Sequence, residues 1–362
     1  MKNRTTILPK KNRWGWTLLS IALVLLCAPV FSFTILLPHL TTAMPVMLVV
    51  LLVYVGPVSA GLSLLLLSLL SAFFFSPWQA GALGFIGCLL FNLPFVIASV
   101  YVAEKKKDFW LSSAITSGVM FASLCLVVGM IGAVSGRDAV SAITRALQDA
   151  VRSVDGLEDA LIQALSQLGL LSAKIEQTLA GGMSEAQRSA LVSEMLMLQD
   201  AVLRLQMPMQ ITTGSLAAGV FGQYAIRRAA NRRGAALSLP ALRTWRIPKG
   251  WGRVLGGTLL LLFLLSNLLP NETQGMFYVF SGLFELVFSL QGIAALCYLL
   301  HTRGRGRRWQ AMVFLLGYFL FTVPALFVGL ADQAIDFTHR RAQLGDGENS
   351  APFDPRASKK ND

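Results

Sequence analysis

Glu285 is the single acid placed well inside an apolar run of this 362-residue sequence. An ionisable group at bilayer depth costs several kcal/mol unless it is paired or hydrated, so such a residue marks a place to look for function. On a helix, Tyr278, Ser281, Glu285, Ser289 and Gly292 recur at intervals of three and four and share one face. Gln291 adds an amide beside that stripe. Two chemistries fit. The carboxyl can be protonated or hydrogen-bonded to a neighbouring helix as a structural group, or the stripe can line a cavity that binds a cation or a polar solute. Enzyme signatures are absent. No Gly-Lys dipeptide occurs, which excludes a phosphate-cradling P-loop. The three histidines, His39, His301 and His339, lie far apart without Cys or Glu at metal-ligand spacing. No G-x-S-x-G elbow is present. The expectation is therefore a non-enzymatic protein with no catalytic residue, no metal and no cofactor.

Other polar and small residues inside apolar runs have structural readings as well. Gly214, Ala218 and Gly222 recur every fourth residue, with Gln210 and Thr213 nearby. Small residues at that spacing let helices approach closely. Asn92 with Pro94, and Asn267, are isolated polar points. The cysteines Cys27, Cys88, Cys125 and Cys297 all fall in apolar runs and read as buried thiols rather than as a disulfide framework. Cys27 follows the large Leu26, which argues against a lipoprotein-type cleavage site. The first apolar run reads as a retained signal anchor.

The elements that position these residues are membrane helices. Residues are 54% hydrophobic and 14% charged, and mean hydropathy is +0.60, whereas a soluble globule carries about 25% charged residues. Apolar runs near the spanning length of roughly 20 residues recur along the chain. The fold expected is all-α and polytopic, with about nine transmembrane helices plus an extramembrane helical hairpin or bundle. The runs cover 16–37, 42–55, 58–75, 80–103, 109–134, 207–226, 254–269, 275–300 and 309–330. They form an N-terminal membrane part (1–134) and a C-terminal one (207–341), separated by the insert 135–206 and followed by a polar tail, 342–362, whose composition reads as disordered. Residues 136–206 carry apolar positions from Val140 to Ile175 at heptad spacing. Gly181-Gly182 breaks that seam, Ser184 with Gln187 makes a capping box, and a second seam runs from Leu191 to Leu205. The insert reads equally as a self-packed unit and as a surface for self-association or for another membrane protein.

Charge sets the orientation. With the N-terminus inside and nine spans, 20 of the 31 basic residues fall in cytoplasmic segments. Arg340 and Arg341 then misfit, lying on the outer side. A re-entrant 42–55 would put Lys105, Lys106 and Lys107 outside and is disfavoured. The loop Arg227 to Arg253 holds eight basic residues, no acid, and the interleaved Trp245 and Trp251. Topology signalling and contact with anionic lipids explain it without nucleic acid. The location expected is a bacterial inner membrane, multi-pass, with the N-terminus cytoplasmic.

The C-terminal third carries three short motifs in order: Trp245 with Pro248; Gln291 with Gly292; and Gly329, Leu330, Asp332, Asp336, Phe337 and Arg340. In this order they resemble the YybS-like family of predicted bacterial membrane proteins, a family of unknown function. The resemblance implies a core similar to the substrate-capturing S components of energy-coupling-factor transporters, and VGPVSAG at 55–61 is similar to their Gly-Pro loop. The first span has Ala28 and Ser32 but no Ala-x-x-x-Ala docking motif, so the resemblance implies the core rather than the coupling. The function expected is binding, or helping to transport, a small ligand through that core. The alternative is a membrane scaffold that recruits partners through the outer insert and the basic inner loops.

Overall fold

The computed structural model describes residues 17, 38–74, 78–145, 185–247 and 249–335. Expectations that fall elsewhere lie outside the described residues. These are the first span apart from Thr17, the centre of the insert with Ser184, the tail, and the motif residues Pro248, Asp336, Phe337 and Arg340. The described residues are helical: α1 (Pro38–Tyr54), α2 (Pro57–Phe74), α3 (Trp78–Glu104), α4 (Phe109–Ser135), α5 (Glu185–Arg232), α6 (Lys249–Leu268), α7 (Pro270–Thr302), α8 (Arg307–Phe319) and α9 (Thr322–Ile335), with a 3-10 turn at Leu242–Thr244.

Local sequence explains the joints. Val55 and Gly56 both donate to the Leu51 carbonyl, at 2.9 and 3.0 Å. Gly56 then takes a φ of +145°, open to glycine but not to side-chain-bearing residues. Pro57 follows at the head of α2, where a missing N–H costs nothing. Between α3 and α4, the Asp108 carboxylate accepts from the Trp110 amide at 2.9 Å and caps α4.

Two compact units are present, one of residues 1–127 and 209–362, the other Val128–Pro208. In the larger unit the 209–232 part of α5 is surrounded by protein. Gly222 meets the ring of Phe95 on α3, Gly219 meets Ser113 and Ser117 on α4, and Met209 and Thr213 meet Gly282 on α7. The Ser117 hydroxyl donates to the Leu216 carbonyl at 3.4 Å, and the Gln223 amide donates to the Ser99 carbonyl at 3.0 Å. A helix with protein on all sides can carry Gln210, Ser215 and Gln223 buried, since interhelical bonds replace water.

Three described helical segments are long and apolar enough to cross a membrane: Gly84–Glu104, Phe109–Ser135 and Thr273–Thr302. A fourth is reached if Arg308–Phe319 and Thr322–Ile335, bent by 109°, count as one. The expected nine spans are therefore not reached among the described residues. α1, α2 and α6 contribute shorter apolar segments, Ala43–Tyr54, Pro57–Leu70 and Gly252–Leu268. The 207–226 run lies in a helix whose surroundings are protein, and the Gln210, Ser215 and Gln223 buried along it make it too polar to face lipid. The 309–330 run is broken between Phe319 and Thr322. Of the described cysteines, Cys88 and Cys297 are buried thiols outside any disulfide, while Cys125 is exposed on α4.

In the smaller unit, Asp138 caps a helix over 139–145. Its carboxylate accepts from the Ser141 amide at 3.0 Å and from the Ser141 hydroxyl at 2.7 Å. Arg204 on α5 donates to the same carboxylate at 3.1 Å and to Asp200 at 2.8 Å, and Thr144 donates to Asp200 at 3.0 Å. The two ends of the insert are thereby held side by side.

Two outcomes follow. Gly219→Ala forces a Cβ into the Ser113 and Ser117 backbone, which cannot rotate away. Thermal unfolding in detergent should show a loss of about 1–3 kcal/mol, whereas Gly61→Ala, where a Cβ meets nothing within 4 Å, should be neutral or slightly stabilising. The second outcome concerns Asp138. Bonds from Ser141 and from Arg204 hold its carboxyl well below the usual carboxylate range. Its contribution is therefore complete above the unfolded value of about 4 and is lost as pH falls towards the folded value. Asp138→Asn should flatten the acid limb of helix loss, followed by circular dichroism of the full chain in detergent. An unchanged acid limb would remove the cap from the account.

Candidate functional site on helix α7

α7 starts with Pro270 at its first position and runs 33 residues. The stripe expected from sequence lies on it but has two different halves. Towards the C-terminal end, Ser289 is buried and its hydroxyl donates to the Leu286 carbonyl at 3.0 Å. Gly292 is covered by α9: a Cβ there would overlap the Ala325 carbonyl, and one on Gly329 would overlap the Phe288 carbonyl. The two helices cross at this glycine pair with backbone against backbone. Towards the N-terminal end, Tyr278, Ser281 and Glu285 are half-buried. Glu285 makes no hydrogen bond or ion pair among the described residues.

Gln291 holds the crossing together. Its side-chain oxygen accepts from the Ile247 amide at 3.2 Å, just before α6. Its side-chain nitrogen lies 3.2 Å from Asp332 Oδ2, 3.1 Å from Gln333 Oε1 and 3.4 Å from the Gly329 carbonyl, all on α9. Gln291 and Asp332 are buried. Inside an apolar medium such groups are stable only when their hydrogen-bonding capacity is met. Gly252, in the first turn of α6, stands close to the Gln333 side chain. One amide on α7 thus ties α9 to the head of α6. Gln291 lies 18 residues into the Thr273–Thr302 segment, well inside it.

Trp245 belongs to the same neighbourhood. It is buried with Phe109, Val220 and Ala294, its indole nitrogen donates to the Pro240 carbonyl at 3.4 Å, and its ring lies 5.6 Å from Trp110 and 6.1 Å from Tyr224. The described members of the three sequence motifs, Trp245, Gln291 with Gly292, and Gly329 with Asp332, are therefore gathered on the 288–294 stretch of α7. Glu285 stays apart from them. Among the described residues no group of three or more His, Cys, Asp or Glu side chains could hold a metal ion.

Sequence reasoning missed Arg227. Treated as one of eight loop charges, it is fully buried, at 0% exposure. Its guanidinium donates to the Ser238 carbonyl and hydroxyl, both at 2.9 Å, to the Lys107 carbonyl at 2.6 Å, to the Asp108 carbonyl at 3.2 Å and to the Ser112 hydroxyl at 2.6 Å. Phe109 lies beneath it, 5.8 Å away. A usable signal was the spacing itself. Gln223 and Arg227 continue the face of α5 that carries Gly219 and Ala230, so the helix, not the loop, owns the charge.

Apolar helices packed around a polar helix, with a buried amide–carboxyl contact far from either end of an apolar segment, define a helical membrane protein. The chain belongs to the DUF2232 family of predicted membrane proteins, whose pattern matches residues 19–333. No curated protein and no solved structure matches it significantly.

Gln291→Leu should leave the Ile247 amide and the Asp332 carboxyl each short of a partner. The expected cost is about 1–3 kcal/mol in detergent unfolding, with proteolysis between α7 and α9 increased. Wild-type stability in Gln291→Leu would show that the crossing is held by the glycine contact alone.

Proposed function

We propose that this is a non-enzymatic membrane protein that binds a small solute bearing a cationic group on the α7 stripe, with Glu285 as the counter-charge. One observation carries this reading: Glu285 is half-buried within an apolar segment and has no partner among the described residues, while Gln291 is engaged by Ile247, before α6, and by α9. A carboxyl in that position needs a compensating cation or a proton. Tyr278 and Ser281, also half-buried, supply hydroxyls on the same face. Ser289 and Gln291, already bonded within the protein, act in this reading as the floor of the site rather than as ligands.

The S-component-like core implied by the C-terminal motifs agrees with solute binding. Without a phosphate-cradling loop of its own, transport would draw on a partner ATPase or an ion gradient. In this reading the protein sits in a bacterial inner membrane, with the N-terminus and the basic loops cytoplasmic and anionic lipids against those loops. The scaffold alternative rests on a different observation, the separate compact unit Val128–Pro208, which could present a surface to another membrane protein or to a second copy.

Native mass spectrometry of the purified chain tests the choice. The wild type should carry a small adduct that is absent from Glu285→Gln, while the unfolding midpoint of the variant changes by less than about 1 kcal/mol. Equal adduct retention in both would leave Glu285 a structural, protonated group and remove solute binding at this stripe.

A further inference from the structure

The last two helices show how deep the C-terminal part of the chain travels. α8 runs antiparallel to α7: the Cys297 thiol meets the Gln310 carbonyl at 3.6 Å, and Gly317 faces Ile293. Ascending α8 from Gln310 to Gly317 thus corresponds to descending α7 from Cys297 to Ile293. At Phe319 the chain has come only to about the level of Gln291. It then turns by 109°. A turn greater than a right angle leaves α9 directed slightly back towards the end at which α8 began. The contacts of α9 agree. Ala325 and Gly329 both face Gly292, Gly329 also faces Phe288, and Gly329, Asp332 and Gln333 all reach Gln291. From Ala325 to Gln333, α9 stays on the same short stretch of α7, so it crosses that helix instead of following it outwards.

From these positions we propose that residues 307–335 form a re-entrant element rather than a span, and that the C-terminal tail leaves on the face by which α8 entered. That face carries the basic loops. Leu242, in the loop after α5, packs against the cluster that holds Ile293 and Cys297 of α7, and Arg227 joins the same loop to the Lys107 carbonyl.

A tail on the basic-loop face would also bring Arg340 and Arg341 to the side that carries the other basic segments, which removes the charge misfit that a ninth span creates.

The physical consequence is that Asp332 is delivered to the interior of the protein from one side of the membrane. This inference concerns topology and stands or falls independently of solute binding at Glu285.

Single cysteines in the full-length chain, with the four native cysteines replaced by serine, provide the test. Arg305→Cys marks the α7–α8 turn, Gln274→Cys the opposite end of α7, and Ser350→Cys the tail, with Ala357→Cys as a second tail position. Each is treated with a membrane-impermeant maleimide in intact cells stripped of any outer membrane, and again after lysis, which shows that the thiol is present and reactive. The expected result is that both tail positions follow Arg305→Cys and differ from Gln274→Cys. An epitope tag after Asp362, detected by antibody before and after permeabilisation, repeats the comparison in the native-cysteine background. Tail positions or tag that follow Gln274→Cys would overturn the proposal and restore a ninth span.

Discussion

The buried guanidinium of Arg227 is the interaction on which the larger unit depends. Removing an arginine from water is costly unless every N–H finds an acceptor. Here Ser238, Lys107, Asp108 and Ser112 supply carbonyls and hydroxyls, and none of these acceptors is a carboxylate. They come from three places: the turn between α3 and α4, the first turn of α4, and the segment after α5. Satisfying one cation therefore fixes three backbone paths at the end of the helix bundle. The planar fork of arginine suits this task, whereas a lysine ammonium carries its three donors on one nitrogen and cannot spread them over acceptors this far apart. Asn231 completes the same end. It accepts from the Leu237 amide at 2.8 Å and donates to the Leu237 carbonyl at 2.9 Å, closing the loop that Gly234, with a φ of +88°, allows to turn.

From that end, α5 extends through the unit as a helix that meets protein rather than lipid. Its partners use small residues for proximity and hydroxyls for bonding. On α4, Ser112, Ser113, Thr116, Ser117 and Ser123 are buried together. Thr116 donates back to the Ser112 carbonyl at 2.9 Å, while Ser117 reaches across to α5. The opposite side of α4 exposes Trp110, Leu111, Ile115, Phe121 and Leu126. Such a helix is apolar outside and polar inside, the reverse of a water-soluble one, and belongs with an apolar solvent.

The crossing of α9 over α7 decides what remains of the polar stripe. Because Gly292 and Gly329 lack side chains, the backbones touch, and Gln291 and Asp332 are brought together in the space this creates. Ser289, one turn from this crossing, is buried and bonded within α7, while Glu285 makes no hydrogen bond among the described residues. A side chain at either glycine would separate the helices and open the buried amide to whatever surrounds it. The site and the fold are thus coupled through two positions that carry no functional group at all.

Composition and hydropathy by themselves determined that the chain is helical and membrane-seeking, that the runs later seen as α3, α4 and α7 are apolar over spanning length, as six other runs also were read, and that Glu285 stands out on α7. These follow from local rules: a segment about 20 residues long without charges satisfies its own backbone and seeks an apolar solvent. Motif order also brought Trp245, Gln291, Gly292 and Asp332 to notice, though not as neighbours. Only the tertiary structure decided the rest. Arg227 reads as a loop charge until its acceptors, more than a hundred residues away on the α3–α4 side, are seen around it. The 309–330 run has the hydropathy of a span, but it bends by 109° between Phe319 and Thr322, and its second half lies with Gly329 against Gly292. The 207–226 run is too polar for lipid and is central because its neighbours are protein. In each case the missing information was the identity of the surrounding medium. Hydropathy along a chain records what a helix could face, and only packing determines what it does face.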